Sequence, residues 1–207
     1  MADVVQLTAA ATQLTAPIGS IVVTVYPREK LDEERVDLFA ELLKTGHVFD
    51  PVKVVEQDKV LYLLDGCHRV EAHKKAGQTE ITYEIQNVEK KYWLLEAGRL
   101  NGRSSKPLAT GEIKQMILRA YQNDGVTPEE IFHYLKDICS KSWIYKTLAP
   151  IRALEKDALK QGLFNLHRAG KSYSEIEKLT GVNRATAQRW VTQNTEIQAA
   201  NGGDTDS

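Results

Sequence analysis

Apolar residues fall into short β-branched blocks over the first ninety positions and recur every three or four residues after that. The block Ile21-Val22-Val23-Thr24-Val25-Tyr26, stopped by Pro27, predicts a strand. Residues 32–45 then place Val36, Phe39, Leu42 and Leu43 at helical spacing, with Gly46 where a helix should stop. Two further strands are predicted over 52–55 and 60–64, joined by a turn at 56–59. A helix follows over 68–75, ended by Gly77, and then a strand over 81–85. Beyond residue 90 the spacing favours helices over 91–100, 110–122, 128–135, 142–160, 163–169, 174–179 and 184–193, with Pro150 a candidate break. The fold class expected is α+β, a small α/β domain over 20–90 followed by an all-helical region over 91–192. Residues 1–19 and 193–207 lack a sustained period and are expected to be mobile tails.

The mean charge hides two different halves. The formal net charge is -1, yet residues 1–97 carry 11 Lys/Arg against 16 Asp/Glu, whereas residues 98–192 carry 16 against 9. The basic segment is therefore the candidate nucleic-acid face. The first residues lack the basic start and apolar stretch of a secretory signal, and no apolar run approaches the ~20 residues of a membrane span. The expectation is a cytoplasmic protein with no membrane partner. Two cysteines, Cys67 and Cys139, are too few for a disulfide framework, and no ligand spacing suggests a structural metal.

The candidate chemistry lies where the strand over 60–64 meets the helix over 68–75, at Asp65-Gly66-Cys67-His68-Arg69. Free amides at a helix start favour an anion, and Gly66 lets the backbone approach it closely. His68 and Arg69 add donors, Arg69 as a fork suited to phosphate oxygens. An ordinary strand-to-helix turn with solvent-facing side chains is the alternative. If the loop is catalytic, Glu29, Asp65 and His68 are the candidate groups. Glu29, with Asp32, Glu33 and Glu34, would suit a general base or a Mg²⁺ contact if brought to the loop.

Tyr26-Pro27-Arg28, an acidic helix ending in Lys44-Thr45-Gly46, Pro51-Val52-Lys53-Val54-Val55, and Leu64-Asp65-Gly66-Cys67-His68-Arg69 running to Lys75-Ala76-Gly77 together resemble the ParB/sulfiredoxin-like domain over about residues 20–87. The resemblance implies that Arg28, Gly66, Cys67, His68 and Arg69 bind a nucleotide's phosphates, with CTP or ATP and Mg²⁺ as the cofactors to expect. It adds Asn101, within Glu96-Ala97-Gly98-Arg99-Leu100-Asn101, as a nucleotide-binding candidate. Partition proteins of this kind usually carry Gly-Glu-Arg-Arg or Gly-His-Arg-Arg at the loop, so Cys67-His68 is a departure. Gly66-Cys67-His68-Arg69 also resembles the sulfiredoxin motif, in which the cysteine attacks. A cysteine at a helix start beside His and Arg is expected to have a lowered pKa.

Two segments of the basic region have helix-turn-helix form. In residues 172–191, Ile176 and Leu179 are expected to pack the first helix, Gly181 to make the turn, Val182 to plug the core and Asn183 to cap the second helix. Arg184, Thr186, Gln188 and Arg189 are then left for DNA. The pattern resembles that of resolvases, with Glu177 where alanine is usual. In residues 126–148, Thr127 and Glu130 form a capping box, and Lys141, Ser142, Tyr145 and Lys146 are the DNA candidates.

The leading expectation is a DNA-binding protein of partition or regulatory type with a nucleotide- or phosphate-binding loop. Its expected partners are DNA, nucleotide, a ParA-type ATPase and a second copy in a homodimer. The competing class is an enzyme, either a nuclease or an NTPase or phosphotransferase acting near DNA. A sulfiredoxin-like enzyme is the third reading.

Overall fold

The computed structural model describes residues 14–25, 27–28, 30–102 and 107–201, with side chains to residue 196. Glu29 and Tyr26 lie outside these residues. The chain divides into two compact units, Met1–Thr147 and Leu148–Ser207.

In the first unit five strands form one sheet: β1 (Leu14–Pro17), β2 (Ile21–Val22), β3 (Val52–Gln57), β4 (Val60–Asp65) and β5 (Glu80–Ile85), in the order β1-β5-β3-β4-β2. β3 and β4 form an antiparallel hairpin, β2 pairs parallel with β4, β5 pairs parallel with β3, and β1 closes the far edge antiparallel to β5. Alternation along the hairpin sends Val54 and Leu63 into one core with Ile18, Ile21, Val52, Val70 and Ile81. It sends Val55 and Leu64 into another with Trp93. Burial on both faces is why these strands read as continuous apolar runs.

Helix α1 (Glu33–Lys44) is capped by Asp32, whose side chain accepts from the Arg35 amide. Its Val36, Ala40 and Leu43 pack with Ala72 of α2 (Cys67–Lys75). Three helices follow, α3 (Trp93–Gly102), α4 (Thr110–Gln122) and α5 (Pro128–Leu135), burying Leu95, Met116, Ile117, Ile131 and Leu135 completely or nearly so. Thr127 and Glu130 form the expected capping box at the start of α5. Helix α6 (Lys141–Arg168) contains the boundary between the units. In the second unit Leu163 and Phe164 pack with Ile176 of α7 (Tyr173–Thr180) and with Ala187 and Val191 of α8 (Arg184–Asn201).

Four local expectations are corrected. Leu14–Pro17, expected to be part of a tail, is an edge strand; only Ala16 of its four residues is buried. Edge pairing uses backbone groups and needs no side-chain pattern. The strand expected over 21–26 is limited to Ile21–Val22, beyond which Val25 lines a cleft. Pro150 does not break α6, which also runs through the gap expected at 160–163 because Leu163 and Phe164 are buried. Leu179 is 64% exposed, and the inner face of α7 is made by Ile176 with Tyr173.

Candidate functional site

β4 hands over to α2 through Gly66, whose φ of 107° suits glycine. A Cβ there would stand 2.6 Å from Val52 Cγ1 and 3.0 Å from Arg69 Nη2, so the turn also has no room for a side chain. Gly66 stands at the N-cap position and supplies no side-chain cap to α2. The first amides of a helix without such a cap are suited to an anion, favoured by the helix dipole. They open on a cleft of about 220 Å³.

The cleft gathers residues far apart in sequence. Arg28 reaches from the segment after β2 to Asn101 at the end of α3, Nη2 donating to Asn101 Oδ1 at 3.5 Å, and its Nη1 stands 3.6 Å from Glu112 of α4. The Arg28 side chain is 8% exposed. Asn101 is itself oriented by donating from Nδ2 to the Ala97 carbonyl at 2.8 Å. His68 Nε2 accepts from the Asp32 amide at 3.2 Å, tying the start of α1 to the start of α2 and leaving Nδ1 to carry any ring proton. Asp65 and Arg69 are paired, Arg69 Nη2 donating to Asp65 Oδ2 at 2.6 Å. Arg28, Asp65, Gly66, Cys67, His68, Arg69 and Asn101 therefore line one cleft.

Cys67 does not have the lowered pKa expected from its position. Burial pushes the thiol up to about 11, and the nearby carboxylates of Glu71 and Asp65 act in the same direction. Lys74 favours the thiolate, but desolvation is the larger effect. At neutral pH the group is a thiol, which weakens the case for a nucleophilic cysteine.

Four lining residues were not legible in the sequence as members of the site: Arg35, Phe39, Phe49 and Asp50. Arg35 and Phe39 share a face of α1 at i, i+4 spacing, and the guanidinium lies 5.1 Å from the ring centroid. Phe39 packs on Phe49 with ring centroids 4.7 Å apart, giving the cleft an apolar wall. The spacing is visible in sequence, but the direction of that face is not. A second cleft, of about 250 Å³, shares Arg28 and His68 and adds Lys30, Asp32 and Glu112.

Among the DNA candidates of the first unit, Lys141, Ser142 and Lys146 are exposed on α6. Tyr145 is half-buried and donates its hydroxyl to Glu129 of α5. In the second unit Ser172 and Glu175 form a capping box on α7, and Gly181 ends it at φ 72°. Asn183 Oδ1 then accepts from the Ala185 amide at 3.0 Å to start α8. Arg184, Gln188 and Arg189 are exposed and Thr186 is half-buried. Val182 and Trp190 pack partly buried against the core of this unit.

Residues 5–97 match the family model of the ParB N-terminal domain. Among solved structures, sulfiredoxin from Arabidopsis thaliana is 26% identical, with 38% of this chain and 89% of that chain covered and a TM-score of 0.35. The C-terminally truncated chromosome-partitioning protein ParB from Caulobacter crescentus complexed to the centromeric parS site is 13% identical over 87% of this chain and 99% of that one, TM-score 0.46. The same protein complexed with CTP-γ-S is 19% identical over 89% and 98%, TM-score 0.41. No curated protein matches the chain. Over residues 5–97 the chain is thus similar to the ParB N-terminal domain, and the elements after that stretch are all helical.

Proposed function

We propose that this is a ParB-like DNA-binding protein of partition or regulatory type whose cleft holds the phosphates of a nucleoside triphosphate. The observation that carries the reading is the meeting of Arg28, His68 and Asn101 around the uncapped start of α2. Cationic and amide donors converging on a helix terminus suit an anion, and the Phe39–Phe49 wall supplies apolar surface for the rest of such a ligand. Each unit carries its own DNA-contacting set: Lys141, Ser142 and Lys146 in the first, and Arg184, Thr186, Gln188 and Arg189 in the second. The basic balance of residues 98–192 and the exposure of most of these side chains support it. A homodimer and a ParA-type ATPase partner belong to the same reading.

Calorimetric titration with CTP, ATP and GTP, with and without Mg²⁺, tests the cleft. Saturable binding that Arg28→Ala weakens at least tenfold is expected, and no heat with any nucleotide refutes the site. For DNA, Arg184→Ala with Arg189→Ala should weaken binding and lower its salt dependence, since each phosphate contact contributes about one unit to the salt slope. Unchanged affinity and slope would remove α8 from the DNA face. Turnover of nucleotide or cleavage of plasmid DNA in the same samples would favour the enzyme reading.

A further inference from the structure

Three of the five N–H donors of the Arg69 guanidinium are engaged by the protein itself. Nη2 donates to Asp65 Oδ2 at 2.6 Å, and Nη1 donates to the carbonyls of Asp50 at 2.6 Å and Pro51 at 3.0 Å. Asp65 ends β4, Pro51 precedes β3 and Arg69 lies in the first turn of α2, so one side chain joins three segments. The pair is largely shielded, with Arg69 14% and Asp65 26% exposed. Nη2 also lies 3.0 Å from where a Cβ on Gly66 would stand, which places the guanidinium against the glycine turn. Three charge-assisted bonds to fixed acceptors hold such a fork more firmly than neutral hydrogen bonds would.

We infer that Arg69 is a positioning residue, not an anion ligand: it clamps Asp65 and the 50–51 backbone so that the first amides of α2 keep their direction into the cleft. The inference rests on the phosphate-binding reading of that cleft and assigns Arg69 a different part in it from the one its sequence position suggests. A direct ligand and a clamp respond oppositely to loss of the Asp65 charge. If Arg69 met the anion, Asp65→Asn would release the fork and take a negative charge out of the cleft, so binding would tighten. If Arg69 is the clamp, Asp65→Asn loosens the helix start and binding weakens although the cleft has become more positive.

The test uses the full chain and inorganic triphosphate, followed by calorimetry. Asp65→Asn is expected to weaken binding roughly tenfold, the effect of losing one charge-assisted hydrogen bond. Unchanged or tighter binding overturns the inference. A second measurement needs no variant: the Arg69 Nε–Hε resonance of the wild-type chain is followed by NMR during the titration. The expected result is that the amides of Cys67 and His68 shift while the Arg69 side-chain signal stays in place. A side-chain shift that tracks the amides overturns the clamp even if Asp65→Asn fails to fold. Wild-type protein that binds no triphosphate fails the phosphate reading and the inference with it, an outcome distinct from binding that Asp65→Asn leaves intact.

Discussion

Gly66→Ala offers a direct check on how the cleft is built, because two separable costs meet at that residue. The φ of 107° is unfavourable for an L side chain, an effect of about 1–2 kcal/mol. The added Cβ would stand 2.6 Å from Val52 Cγ1 and 3.0 Å from Val52 Cβ, in a fully buried residue that cannot swing aside. Overpacking of this kind costs roughly 1–3 kcal/mol. Together these predict a loss of about 2–5 kcal/mol. Gly77→Ala is the control, since Gly77 has φ 77° and nothing within 4 Å of where the added methyl group would stand, leaving the conformational cost alone. Urea unfolding followed by the fluorescence of Trp93, with Trp143 and Trp190 replaced by Phe, reports on the first unit through a side chain buried beside Leu64. The expected order of decreasing stability is wild type, then Gly77→Ala, then Gly66→Ala, with the last gap at least about 1 kcal/mol. Equal destabilisation by the two alanines would refute the claim that close approach to Val52 restricts position 66.

Alkylation of Cys67 by iodoacetamide, in a Cys139→Ser background, should be slow at pH 8 and accelerate as pH rises toward about 11; a fast neutral rate would restore the nucleophile reading. Glu130 is held down to about 2 by the Tyr92 hydroxyl, the Thr127 amide and hydroxyl, and Lys91. A depressed carboxylate contributes stability that is present above its unfolded pKa, about 4.3, and is lost as pH falls toward 2. The protection of α5 amides, measured against their intrinsic exchange rates, should therefore fall across that window, and Glu130→Gln should abolish the dependence. Ser172→Ala removes the side-chain cap of α7 and should cost the second unit about 1 kcal/mol; no change in its thermal unfolding would mean that the cap does not support the helix.

What the sequence determined by itself was local. Thr127 with Glu130, Asn183, and the glycines at 66 and 181 act on neighbours within three or four residues, so capping and turn chemistry placed α5, the α7–α8 turn and the β4–α2 turn directly. The apolar runs over 52–55 and 60–64, with the polar turn at 56–59 between them, likewise announced two short consecutive strands. Spacing within one element also brought Arg35 and Phe39 to one face, although not to any particular neighbour. Only the tertiary structure decided which neighbours those faces meet. Arg28 and Asn101 are 73 positions apart and touch because the segment after β2 and the end of α3 converge on the cleft. Leu14–Pro17 becomes a strand because β5 offers it an unpaired edge, a backbone opportunity that leaves no mark on residue choice. Cys67 and Arg69 were legible as chemical groups, but their behaviour was not. Burial raises the thiol, and distant carbonyls at Asp50 and Pro51 occupy the guanidinium. Desolvation and long-range hydrogen bonding depend on what the folded chain packs against a side chain, and that is the information a linear pattern lacks.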